Sequence, residues 1–107
     1  MSELEKALIH QAKRYYLDAE LWAKTDVNNE VAIESAKEGG ISVKEYLWDS
    51  FYLSYMNCST LCDFVDLDCG LTDEGREALN VFRKDMFRLL DKAQAKRSPA
   101  NLNTISN

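Results

Sequence analysis

From Ser42 to Val65 the chain reads SVKEYLWDSFYLSYMNCSTLCDFV, and no other stretch limits its fold as tightly. At 100° per residue, Glu45, Asp49 and Asp63 share one narrow line of a helix, with Asp66 at its edge. Aromatic, aliphatic and small side chains occupy nearly all the rest of the cylinder. A helix that is apolar almost all round belongs at the centre of a bundle, touching neighbours on several sides. Its start is well marked. Gly39-Gly40 supplies the left-handed residue that ends a preceding helix, Ser42 is a cap, and Glu45 three residues on completes a capping box. Ile41 and Tyr46 fit the hydrophobic staple around that cap. Inside the helix, Ser50, Ser54, Cys58 and Cys62 recur every four residues, a groove of small side chains that admits bulky residues from a neighbour. The poor helix formers from Asn57 to Thr60 mark a weak point.

The rest of the chain reads as what this helix packs against. Leu8, Ala12, Tyr15, Ala19 and Trp22, at 4-3-4-3 spacing, predict a first helix over about 3–24, widened by Leu4, Ile9, Tyr16 and Ala23. Leu17 and Leu21 project from its far side, on the line of His10. A short second helix over about 27–38, capped by Asp26 or Asn28, carries few apolar residues. The central helix spans about 43–66. Leu71-Thr72 forms a staple and cap for a last helix over about 73–96, where Leu79, Phe82, Met86, Leu89 and Ala93 make a bundle-facing stripe. Ser98-Pro99 stops it. The expected fold is all-α: a small bundle of four helices around a central apolar helix, one domain over 1–97 with a flexible tail over 98–107.

Charge sorts along the chain. Residues 45–75 hold seven acidic side chains and no basic one, whereas residues 76–107 hold seven basic and three acidic. Coulomb attraction favours placing the acidic middle beside the basic last helix. The overall charge of −5 argues against a general nucleic-acid binder. No apolar run approaches the roughly 20 residues needed to span a bilayer. Charges throughout the first 25 residues leave no apolar leader core, and Ser2 is incompatible with N-myristoylation. Three cysteines, an odd count, read as reduced thiols in a cytoplasmic protein.

No chemistry-bearing motif stands out. Cys58 and Cys62 share a helix face and could join Cys69 in a thiol or metal sensor, but the spacing is not that of a zinc finger, and buried cysteine packs as a small hydrophobe. Asp63, Asp66 and Asp68 before Gly70 suggest a calcium loop, yet counting from Asp66 the glycine falls at position 5 rather than 6, and positions 5 and 7 lack good oxygen ligands. His10 has no evident catalytic partner. Asn57-Cys58-Ser59 fits a glycosylation acceptor but lies within a helix. Lys84, Arg88 and Lys92 line the wet side of the last helix, the usual place for an amphipathic helix's charges. We therefore assign no catalytic, cofactor or metal residues.

What remains is a set of apolar residues where charge is expected. Tyr52 and Met56 lie on the acidic line of the central helix between Asp49 and Asp63, and Leu17 and Leu21 lie on the outer line of the first helix. Exposed apolar side chains with a polar surround characterise protein–protein contacts. The sequence thus points to a small, acidic, non-enzymatic regulator or inhibitor of the immunity-protein, phage-accessory or antitoxin type. It would bind another protein, or itself as a homodimer, through Leu17, Leu21, Tyr52 and Met56, with Asp49, Asp63, Asp66 and Asp68 steering a basic partner. An acidic nucleic-acid mimic and a sensor built on Cys58, Cys62 and Cys69 are the alternatives.

Overall fold

The computed structural model describes residues 2–25 and 27–97. They form α1 (Glu3–Lys24), α2 (Glu30–Gly39), α3 (Val43–Asp68) and α4 (Asp73–Arg97), with no strand among them. This is the expected all-α bundle of four helices. The tail expected over 98–107 lies outside the described residues.

Most boundaries follow from side-chain caps. Ser2 accepts the Glu5 N–H and Glu5 reaches back to the Ser2 N–H, closing a capping box on α1. For α2 the cap is Asn29, whose amide oxygen accepts the Ala32 N–H at 3.0 Å, so this helix starts later than the expected residue 27. Gly40, at φ 67°, ends it, and the Ile41 N–H reaches back to the Ala36 carbonyl in a Schellman-type closure. Ser42 caps α3 by accepting the Glu45 N–H at 3.1 Å. No break occurs at Asn57–Thr60. Cys58 is fully buried there, and tertiary packing outweighs local propensity. The helix continues to Asp68, Gly70 (φ 56°) turns the chain, and Thr72 caps α4 by accepting the Gly75 N–H.

The three long helices run up, down and up. Tyr15 Oη donates to the Met86 carbonyl at 2.8 Å and Trp22 Nε1 to the Ala93 carbonyl at 3.1 Å, so α1 and α4 are parallel. Against α3 the order reverses: Trp22 meets Trp48, Tyr15 stacks on Phe51, and Ser2 lies 3.2 Å from Cys69. Only α3 packs against all three other helices. The molecule measures 48 × 35 × 18 Å. Its shortest dimension is about two helix diameters, so no helix can be sheathed on every side. That fact positions the surface described next.

Candidate partner-binding surface

The inner side of α3 is where the small residues lie. Leu47, Trp48, Phe51, Ser54, Cys58, Cys62 and Val65 are all buried, and on a helical projection they occupy an arc of about 120°. Ser54, Cys58 and Cys62 let α1 approach closely, and the Tyr15 ring sits over this line against Phe51 and Tyr55. The groove predicted from the four-residue repeat is therefore the α1 seat.

The opposite side of α3 is uncovered. Leu53 is 62% exposed, Met56 48%, Phe64 48% and Leu67 78%. With Thr60 they follow 3-4-4-3 spacing and fall within an arc of about 80°, a stripe about 21 Å long. Tyr52 flanks it, stacked on Trp48 and Tyr55. Tyr52 and Met56 are the residues expected here from sequence; Leu53, Phe64 and Leu67, on a helix apolar almost all round, are expected to be enclosed by neighbours. In a molecule two helices thick they cannot be. A signal for this existed: the four-residue repeat of small residues, Ser54, Cys58 and Cys62, runs along one side of α3, and the outer line has only Thr60 to admit a close neighbour.

The eight residues singled out from sequence fall in separate places. Tyr52, Met56 and Asp49 lie along the outer side of α3, and Asp68 is exposed at its C-terminal end. Asp63 and Asp66 face α4: Arg83 contacts Asp63 at 2.7 Å and Asp66 at 3.7 Å, and Arg76 reaches Asp66 at 3.7 Å. The acidic middle and basic last helix do meet, at this seam. Asp49 and Asp68 form no salt bridge with any described residue. Leu17 (exposed) and Leu21 (half-buried) line a different feature, a cleft of about 260 Å³ between α1, α2 and α3, together with Val31, Ala32 and Leu47.

That cleft holds a residue the sequence reading missed. Asp18 is buried, accepts a short hydrogen bond from Ser54 Oγ, and lies 3.6 Å from Arg14 Nε. Its position was visible in principle: three residues after Tyr15 and four before Trp22, it sits inside the apolar seam of α1. Nearby, hydrogen bonds from Ser35 and then Ser50 hold the Tyr46 hydroxyl below the usual tyrosine range. All buried side-chain polar atoms among the described residues are satisfied. The arrangement ties α1, α2 and α3 together.

The thiols and acidic groups do not gather into a ligand set. Burial pushes the Cys58 thiol up to about 12 and raises that of Cys62, so neither ionises readily near neutrality. Cys69 sits apart, half-buried beside Ser2. The calcium-loop pattern is overridden because Asp66 and Asp68 belong to α3 itself, with Asp66 engaged by arginine. Among the described residues no group of three or more His, Cys, Asp or Glu is arranged to hold a metal ion. No helix among them is long and apolar enough to cross a membrane. Compared with family models, with curated protein sequences and with solved structures, the chain matches none.

Proposed function

We propose that this is a non-enzymatic regulator or inhibitor, working in the cytoplasm, that acts by binding another protein through the outer side of α3. One observation carries the reading: Leu53, Met56, Phe64 and Leu67 stand exposed side by side on a well-formed helix. Side chains of this size expose roughly 100 Å² each at such fractions, so with Tyr52 the patch reaches several hundred Å², a size at which an apolar patch is often functional. Asp49, Asp68 and Glu45 border it and would steer a basic partner, whereas Asp63 and Asp66 are drawn partly toward Arg83 and Arg76. Leu17 and Leu21 lie apart from this patch, in their own cleft beside α2, and would form a second, separate apolar contact.

The test uses the tagged full chain as bait in the organism it comes from, beside the double variant Leu53→Ser/Phe64→Ser. Because both positions are outside the core, circular dichroism and melting temperature should be nearly unchanged. A partner retained by the unsubstituted chain should be recovered about tenfold less by the variant, a loss of about 1.4 kcal/mol. Equal recovery by both chains, or recovery of nothing by either, overturns the assignment.

A further inference from the structure

Resting on the reading of α3 as a docking surface, we propose that its occupant is an amphipathic helix of another protein, with an apolar stripe flanked by lysine and arginine. Three features lead there. The first is shape: the patch is a line about 21 Å long and one helix face wide, from Leu53 to Leu67. Anchors at i, i+3, i+4 and i+7 of an opposing helix fit such a line. The second is the backbone. Within α3 the peptide groups are consumed by its own ladder, so the patch offers no row of main-chain donors and acceptors. An extended peptide would lie there with its polar backbone unmatched, whereas a helix brings its hydrogen bonds with it.

The third feature is charge. Between Lys44 and Arg76 the chain has no basic residue, and Glu45, Asp49 and Asp68 border the stripe, with Lys44 and Arg97 beside Glu45 and Asp49 at the Trp48 end and Asp63 held by Arg83. The adjoining α2 adds Glu30, Glu34 and Glu38 against Lys37 alone. A second copy docked by the same side would set carboxylates against carboxylates in either orientation. An antiparallel pair brings Asp49 toward Asp68 of its mate, and a parallel pair matches each of these acids with itself. Like charges across an interface are unfavourable. A cationic flank removes that repulsion and adds attraction at the rim.

The experiment titrates the isotope-labelled full chain with three synthetic helix-forming peptides of about 18 residues, enough for five turns. One carries a leucine stripe flanked by lysine, the second the same stripe flanked by glutamate, and the third the lysines with the stripe changed to glutamine. The lysine–leucine peptide should bind, moving amide resonances of residues 49–67, with affinity that falls as salt is raised. Binding should weaken at least about tenfold for the glutamine peptide and for the Leu53→Ser/Phe64→Ser chain. The glutamate peptide should not bind. Absence of binding by the lysine–leucine peptide overturns the proposal, as does equal binding by the stripeless peptide. So does a mass in light scattering that rises with concentration and reverts in the variant, which would make a second copy the occupant. Should the peptides fail while the bait experiment still loses its partner in the variant, the docking surface stands and only this identity for its occupant falls.

Discussion

Phe51 and Leu53 are two residues apart on α3 and both are large and apolar, yet Phe51 is fully buried while Leu53 is 62% exposed. The same contrast repeats along the helix: Cys58 and Cys62 are sealed beneath α1, and Met56, Phe64 and Leu67 face outward. Hydrophobicity does not separate the two sides. A run of small residues on one side does. Ser54, Cys58 and Cys62 lower one wall of the helix so that α1 can settle on it, with Tyr15 and Trp22 reaching beyond to the backbone carbonyls of α4. The other wall carries Leu53, Met56, Phe64 and Leu67 around Thr60, and among the described residues no helix lies over it. An apolar face of a helix can thus be buried or left exposed, and here the run of small residues marks the buried one.

The strongest way to break this comparison is to truncate both sides equally. Phe51→Ala should cost about 3–5 kcal/mol in urea unfolding, because a fully buried ring is lost from between Tyr15 and Trp48. Leu53→Ala should stay within about 0.5 kcal/mol, as expected for a surface site. Comparable losses at the two positions would mean that the outer side is covered in the isolated chain.

A smaller effect sharpens the inner side. Ser54→Ala removes the hydroxyl that donates to buried Asp18, with Arg14 remaining nearby at 3.6 Å. We expect a loss of about 1–3 kcal/mol, the cost of leaving a buried acceptor short of its donor. The double change Asp18→Leu/Ser54→Ala should recover part of it, since a well-packed apolar pair can replace a buried polar one. If the double variant is worse than Ser54→Ala alone, Asp18 contributes more than this hydrogen bond.

The smallest effect concerns the seam between α1 and α4. Tyr16 Oη donates to Asp85 at 2.7 Å, and Arg88 holds the same carboxylate at 2.6 Å. The Tyr16 hydrogen bond, and then Arg88, keep Asp85 below the usual carboxylate range. A depressed folded value gives stability that is present above the unfolded pKa, near 4, and lost as pH falls through the folded value. Burial, and then Asp85, push Tyr16 itself up to about 12. A raised folded value gives stability that is complete below the unfolded tyrosine pKa, near 10, and lost as pH rises through about 12. Tyr16→Phe should therefore cost about 0.5–1 kcal/mol near pH 7, the low end suited to a half-exposed pair, and less at both extremes. Melting temperatures at pH 3, 7 and 11 check the shape, and a penalty independent of pH would assign the loss to packing of the ring.

Much of the architecture was legible from local chemistry. Capping residues and Gly40 bounded the elements to within a few residues, and the 4-3 spacing of Leu8, Tyr15 and Trp22 named the buried side of α1 correctly. The Ser54–Cys58–Cys62 line located the seat of a neighbour. Less was legible of the candidate surface. Tyr52 and Met56 stood out because carboxylates flank them, but Leu53, Phe64 and Leu67 looked like core, and Asp18 looked like any charged residue of an amphipathic helix.

Periodicity, caps and residue size act within one helix or across a single contact, so the sequence by itself determined the number of helices, their approximate ends and the buried stripes of α1 and α4. How many neighbours surround a given helix is a property of the whole assembly. Only the tertiary structure decided that α3 is covered along one side, that Asp63 and Asp66 turn to arginines of α4, and that Asp18 lies inside. Each depends on how many layers the helices form, and one helix's pattern cannot count its neighbours.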